Sequence, residues 1–251
     1  MSLTTLKRHE KIMEMLLLNG EIKVLEVSEL LGVSGKTIRE DLAKLEQQGL
    51  LMRVHGGAVL QSSGNIGSFP NHVSQIEHVQ EKKSAAIKAL KYVDKGDIIA
   101  LDGGSTMLEM ARALPNSPLT VITNDLYIIS ELVQKDQIHL VVPGGYRKRN
   151  LLVNGEIVPF LRKLNIQKVF ISTSGLHMDY GLSIYTTELA EQKQALISHA
   201  KYKYCVADHS KFDKYALMTF AKLTDMDRII TDDDIPAEIR KRYGAVVVPI
   251  E

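Results

Sequence analysis

The stretch Asp102-Gly103-Gly104-Ser105-Thr106 combines the residue types that hold an anion. Two glycines let backbone N–H groups approach closely. Ser105 and Thr106 add hydroxyl donors, and a helix that begins there adds the partial positive charge of its N-terminus. The chemistry implied is non-covalent capture of a phosphate. The stretch is not a P-loop, because the Gly-Lys-Ser/Thr ending is missing, and it is not the dinucleotide fingerprint G-x-G-x-x-G. A tight turn with a helix cap accounts for the same residues without a ligand. Similar small and polar composition recurs at Thr123-Asn124-Asp125, at Pro143-Gly144-Gly145 and at Ser172-Thr173-Ser174-Gly175. Turn chemistry explains any one of these; several at equivalent positions are harder to dismiss. Glu188 and Lys193, near a helix start, and Lys211, closing Asp208-His209-Ser210-Lys211, complete the candidate set.

Covalent and metal chemistry find little support. Asp208-His209-Ser210 holds the residue types of a catalytic triad, but consecutive side chains diverge and cannot line up as nucleophile, base and orienter. The eight histidines show neither H-x-x-x-H nor H-E-x-x-H spacing. Asp232-Asp233-Asp234 lacks the EF-hand spacing and reads as a solvated turn or helix start. Cys205 is the only cysteine, so neither an intrachain disulfide nor a cysteine cage for a metal can form. No cofactor or metal is expected.

A second chemistry lies in residues 24–58. Val27, Leu30 and Leu31 are read as the inward side of a short helix, followed by a turn at Gly32-Val33-Ser34. Ile38, Leu42 and Leu45 then repeat at the spacing of a buried helical stripe. Ser34 suits the N-cap of that helix. Its polar side presents Lys36, Thr37 and Arg39 near the N-terminal end, which in helix-turn-helix proteins enters the major groove. A hairpin around residues 50–60 would form a wing carrying Arg53 and His55, and Gly49 a C-cap before it. Over residues 1–60, eight Lys/Arg balance eight Asp/Glu. A DNA-binding reading therefore rests on local placement, including Lys7, Arg8 and Lys11 on the first helix, and not on net charge.

The elements that must position these groups follow from the apolar pattern. The chain of 251 residues has a net charge of +1 and 45% hydrophobic content, ordinary for a soluble globular protein. Residues 1–60 form a winged helix-turn-helix. Residues 61–77, polar and glycine-rich, read as a linker. From 78 to 251 short apolar runs alternate with helices: strands near 98–101, 119–123, 138–142, 169–172, 204–207, 228–231 and 245–248. Continuous β-rich runs of this kind mark strands buried on both faces of a mostly parallel sheet. Such sheets bind ligands at the carboxyl ends of their strands. No secretory h-region or run of roughly 20 apolar residues is present, so a cytoplasmic protein is expected.

These residues resemble a known family. Val33-Ser34-Gly35-Lys36-Thr37-Ile38-Arg39-Glu40-Asp41-Leu42, Leu45-Glu46 and Arg53-Val54-His55-Gly56-Gly57-Ala58 are similar to the N-terminal signature of DeoR-type (GlpR-type) bacterial repressors. Asp102 to Thr106, Thr123-Asn124, Gly144-Gly145 and Asp208 to Lys211 match its C-terminal half. One departure stands out: Glu40 replaces the signature's second arginine, which leaves the operator sequence open. The resemblance implies a C-terminal domain similar to ribose-5-phosphate isomerase and coenzyme A transferases, a phosphorylated sugar or sugar-alcohol effector, release of operator DNA in response, and dimers or tetramers. The expected function is thus a regulator, not an enzyme. Ser34, Lys36, Thr37, Arg39, Arg53 and His55 would meet DNA. Asp102, Gly103, Gly104, Ser105, Thr106, Asn124, Gly144, Gly145, Glu188, Lys193 and Lys211 would meet the effector. An isomerase-like enzyme with an appended DNA module is the alternative, since fold does not give function.

Overall fold

The computed structural model describes residues 5–47, 50–59 and 78–244; within its helices the side chains of residues 17, 18, 187 and 188 fall outside the description. The expected C-cap at Gly49, linker at 61–77, last strand at 245–248 and Glu188 side chain therefore lie outside the described residues. The chain divides into two compact units, Met1–Gly67 and Ser68–Glu251.

The first unit contains α1 (Thr5–Asn19), β1 (Glu21–Lys23), α2 (Val24–Leu31), α3 (Gly35–Gln47), β2 (Met52–Val54) and β3 (Gly57–Val59). Ile12, Met13 and Leu16 of α1, Val27 of α2 and Ile38, Leu42 and Leu45 of α3 are all buried, and α3 packs against both other helices. The stripe expected on α3 is the one that packs. Leu30 differs from expectation: it is 68% exposed. Val24, Val27 and Leu31 form the inward line of α2, and at 3.6 residues per turn Leu30 sits roughly 90° round from that line. The wing is a three-stranded antiparallel sheet in the order β1-β3-β2, because β1 pairs with β3 as well.

The second unit begins with α4 (Val79–Ala89) and a 3₁₀ turn at Leu90–Tyr92, then β4 (Ile98–Leu101), α5 (Ser105–Ala113), β5 (Leu119–Ile122), α6 (Leu126–Leu132) and β6 (Ile138–Val141). A hairpin of β7 (Tyr146–Lys148) and β8 (Leu151–Val153) leads to α7 (Ile157–Leu161) and β9 (Ile166–Ile171). There follow β10 (Gly175–His177), β11 (Gly181–Ile184), α8 (Thr187–His199), β12 (Ala200–Val206), β13 (Met218–Ala221), β14 (Arg228–Ile230) and α9 (Ala237–Gly244).

Six strands form one sheet in the order β14-β12-β9-β4-β5-β6, every pair parallel. Alternate residues face opposite ways along a strand, and both faces are covered. Ala100, Val169, Ile171 and Cys205 enter one apolar cluster, while Ile99, Leu101, Phe170 and Tyr204 enter the other. This explains why the strands read as unbroken apolar runs. The chain winds outward from β4 to β6 on one side and from β9 to β14 on the other. The direction reverses between β4 and β9, and the carboxyl ends of these strands mark the crevice position at which sheets of this kind take ligands. The antiparallel parts, β7-β8 and β10-β11-β13, were not anticipated; their strands span three or four residues, too short for a period to register.

Candidate functional site

In the first unit, Ser34 caps α3: its Oγ accepts from the Thr37 amide at 3.1 Å and meets Thr37 Oγ1 at 2.9 Å. This orders the N-terminal turn of α3, from which Lys36 and Arg39 project into solvent. Lys36 lies 3.9 Å from Glu40, one helical turn on. The departure from the family signature thus places a counter-charge beside a candidate DNA contact. Arg53 is held in the wing by Glu46, which accepts from its amide at 2.9 Å and its Nε at 2.6 Å. Those bonds, the backbone one foremost, hold the Glu46 carboxyl below its ordinary range. His55 is exposed in the turn between β2 and β3.

Arg8 does not serve the DNA-facing role expected of it. It is buried, and Asp41 accepts from its Nε at 2.8 Å and its Nη2 at 3.2 Å. His9 Nε2 meets the same carboxylate at 3.0 Å. Asp41, 1% exposed, is therefore the clasp between α1 and α3, and Arg8 is spent on it because a buried carboxylate needs a charged partner.

In the second unit the crevice is built around Asp102, the first residue after β4. Asp102 Oδ2 accepts from the Ser172 amide at 3.1 Å and lies 2.8 Å from Ser172 Oγ, at the end of β9. It forms a buried ion pair with Lys193 of α8, whose Nζ also donates to the Ser172 carbonyl at 2.9 Å. The adjacent residue Gln192 exchanges two amide hydrogen bonds, 3.2 and 2.9 Å, with Asn124 at the end of β5. Two consecutive side chains of α8 thus reach the ends of two neighbouring strands. Lys193 and Asn124, chosen from sequence, are here; Gln192 and Ser172 were missed as side-chain partners.

Gly103 and Gly104 follow Asp102. Gly104 has φ +129°, and a Cβ there would press on Ser172 Oγ at 3.1 Å; only glycine fits this turn. Its amide does not face open space. Asp125 Oδ2 accepts from it at 3.2 Å and from Asn150 Nδ2 at 2.6 Å. Asp125 Oδ1 accepts from the amides of Tyr127 at 2.9 Å and Ile128 at 3.3 Å, capping α6. All four donors are neutral amides. Burial therefore dominates, and the Asp125 carboxyl is pushed up to about 6. The amide expected to receive a phosphate is occupied by an internal carboxylate. What remains for an anion is the first turn of α5, where the amides of Ser105, Thr106 and Met107 have no acceptor within the helix. Ser105 is half-buried and Thr106 buried.

The other candidates sort by position. Lys211 is buried in a 3₁₀ turn after β12 and acts on Asp208. Burial raises the Asp208 carboxyl, but Lys211, Ser210, Lys82 and His78 outweigh it and hold the group below its ordinary range. Gly144 and Gly145 follow β6. A Cβ on Gly145 would collide with the Val153 backbone, so the β7-β8 hairpin explains that glycine without a ligand. By strand spacing alone, the ends of β6 and β12 stand roughly 19 Å apart. The set is therefore not one contact shell; its centre is at β4, β9 and β5. Among the described residues no group of His, Cys, Asp and Glu could hold a metal ion, and no helix is long and apolar enough to cross a membrane.

Comparison with known proteins matches both units. Residues 8–64 match the model of the DeoR-like helix-turn-helix domain, and residues 77–233 that of the DeoR C-terminal sensor domain. The chain is 34% identical to the uncharacterized HTH-type transcriptional regulator YulB of Bacillus subtilis, covering 97% of each chain. It is 30% identical to the glycerol-3-phosphate regulon repressor of Escherichia coli, covering 93% of each. Among solved structures, ribose 5-phosphate isomerase A of Methanocaldococcus jannaschii is similar over 53% of this chain and 54% of that one, at 20% identity and a TM-score of 0.40.

Proposed function

We propose, from the premise that the chain belongs to the DeoR family of helix-turn-helix transcriptional regulators, that it represses an operon of carbohydrate metabolism and leaves its operator when a phosphorylated sugar binds. Residues 1–60 carry DNA recognition and 78–251 carry sensing, with 61–77 between them. Ser34 and Thr37 order the turn of α3 that meets the duplex. Lys36, Arg39, Arg53 and His55 supply its contacts, to phosphates and to base edges. The chain acts in the cytoplasm as a homodimer or homotetramer, and its function is binding, not turnover.

One observation carries the sensing half. The start of α5, with its three first-turn amides and the hydroxyls of Ser105 and Thr106, stands at the reversal point of a parallel sheet, beside the Asp102–Lys193 pair. That is where such sheets take phosphorylated ligands. A ligand shifts the DNA-bound population only through different affinities for the two states. The Lys193 and Gln192 attachments of α8 are the contacts that a ligand in the crevice would exchange for its own. Asn124, at the end of β5, then lies beside the sugar, while Gly144 and Gly145 after β6 and Lys211 after β12 stand outside that shell.

A thermal-shift screen against sugar phosphates, with the free sugars alongside, tests this. A ligand that binds only the native state raises the melting temperature by mass action. Stabilisation by a phosphorylated sugar but not by its free parent is expected. A flat response across the panel would overturn the sensing assignment and leave the DNA-binding one standing.

A further inference from the structure

Every buried side-chain oxygen that lacks a hydrogen-bond partner among the described residues lies in a connection on the carboxyl-end side of the parallel sheet. These are Asn150 Oδ1, Ser174 Oγ, Thr186 Oγ1 and Asp208 Oδ2. Folded proteins pair nearly all such atoms, so each one left over calls for a reason. For Asp208 the reason is charge: burial raises its carboxyl, but Lys211 and its neighbours outweigh this and hold it below its ordinary range. Asn150 and Ser174 are neutral, and each is only 5% exposed. Asn150 is closely placed. Its Nδ2 donates to Asp125 Oδ2 at 2.6 Å, and that oxygen accepts from the Gly104 amide at 3.2 Å. The Asn150 carbonyl thus borders the glycine turn beyond the ends of β4 and β5. Ser174 stands on the other flank, two residues past Ser172, which bonds to Asp102. The hydroxyls of Ser172, Thr173 and Ser183 all find carbonyl acceptors in this stretch. Ser174 alone among them does not.

Resting on the sugar-phosphate reading above, we propose that Asn150 and Ser174 read hydroxyl groups of the effector, so that the site demands a polyhydroxylated body and not a phosphate alone. The Asn150 carbonyl only accepts, and a phosphate dianion has no proton to give it. A ligand hydroxyl supplies that proton. The Ser174 hydroxyl both donates and accepts, and a second ligand hydroxyl matches it in either sense. The two residues flank the reversal point beyond the ends of β5 and β9, with β4 between. By strand spacing those ends stand about 10 Å apart, a width that one sugar body fills with a hydrogen bond at each side. Both oxygens are closed to solvent, so the ligand engages them as their side chains rotate. For Ser174 this rotation breaks no hydrogen bond; for Asn150 it breaks one, to Asp125. The bound ligand supplies partners that the chain itself does not, and an analogue without hydroxyls leaves both oxygens unpaired.

The test uses the full-length protein and four probes: glycerol-3-phosphate, ribose-5-phosphate, fructose-6-phosphate and propyl phosphate, which carries the phosphate and no hydroxyl. Wild type, S174A and N150A are compared by thermal shift and by titration calorimetry. Wild type is expected to bind at least one of the polyol phosphates about tenfold or more tightly than propyl phosphate. Each variant should lose about tenfold of that preference while keeping its affinity for propyl phosphate within about twofold. S174A removes a hydroxyl with no partner to lose, so without ligand it should melt at or above the wild-type temperature. That readout separates ligand reading from a structural role, and it keeps the proposal open to refutation if N150A, which also strips a donor from Asp125, does not fold. Retention of the full preference in S174A would overturn the proposal. Equal weakening of propyl phosphate and the polyol phosphates would do so too, as would a wild type that binds propyl phosphate as tightly as the rest. A wild type that answers none of the four probes is a different failure: it removes the sugar-phosphate reading itself.

Discussion

The Lys193 ammonium meets the Asp102 carboxylate with side chains only 1% and 6% exposed, at the single point where the parallel sheet changes direction. The pair joins α8 to the end of β4. Beside it, Gln192 joins α8 to the end of β5 through Asn124. Leu189, Ala190 and Leu196 pack the helix into the core, and these polar bonds tie it to the strand ends; polar bonds can be exchanged for those of a polar ligand at little net cost.

Breaking the pair from one side should be expensive. K193M leaves Asp102 buried without its cation, and the expected loss is about 3–5 kcal/mol, read by urea denaturation of the full chain. D102N/K193M, with no charge left to bury, should regain part of that loss. Equal stability of K193M and wild type would show that the pair does not hold the crevice together.

Asp125 predicts a pH signature. Its carboxyl is ordinarily near 3.8 and is raised to about 6 in the folded protein. Between those values the native state binds more protons than the unfolded one, so this group's contribution to stability is present below about 4 and is lost as pH rises through 6. The size is on the order of 3 kcal/mol. D125N should flatten the dependence of the melting temperature over that window. An unchanged slope in D125N would assign the effect to another group.

Much of this architecture is written in local patterns. Unbroken apolar runs announced strands buried on both faces, and the Ile38, Leu42, Leu45 stripe announced α3. The strand-end clusters fell at the crevice because strand ends in a parallel sheet share one edge. Less legible were relations across long separations. Arg8 reads as a surface cation until Asp41, 33 residues on, is found to hold it. Gln192 is an ordinary helical glutamine until Asn124, 68 residues away, is seen opposite. Gly145 carries the composition of a ligand loop, yet the Val153 backbone explains it. Asp125 reads as part of a turn, with nothing in the sequence to reveal that it accepts from the Gly104 amide expected for phosphate.

Glu40 sits one turn from Lys36 on the exposed side of α3, 3.9 Å away. E40A should release Lys36 to the phosphate backbone. Non-specific DNA affinity is then expected to rise, and the slope of log affinity against log salt to steepen by about one. Gel-shift titrations over a salt series would show it. An unchanged slope would place Lys36 away from the duplex. In the same assay, R39A should abolish operator binding while leaving effector affinity unaltered.

Cys205 is fully buried, and burial pushes its thiol up to about 12. The nucleophilic thiolate is therefore scarce as well as inaccessible at neutral pH. Ellman's reagent should react only as fast as the second unit opens, and a saturating phosphate effector should slow the reaction. Rapid labelling of the native protein at pH 8 would contradict the packing of β12.

The reversal of strand order carries a consequence for how the protein comes into being. In the pairing of β4 with β9, Ile99 lies opposite Lys168 and Leu101 opposite Phe170, a closure of 69 residues. Neither half of the sheet owns the crevice. A nascent chain that has completed β6 has made one wall of it and none of the other. Contacts of such long range are slow to form, so the pocket comes late in folding, and a ligand that fills it would act on nascent chains as a selector of those that have closed.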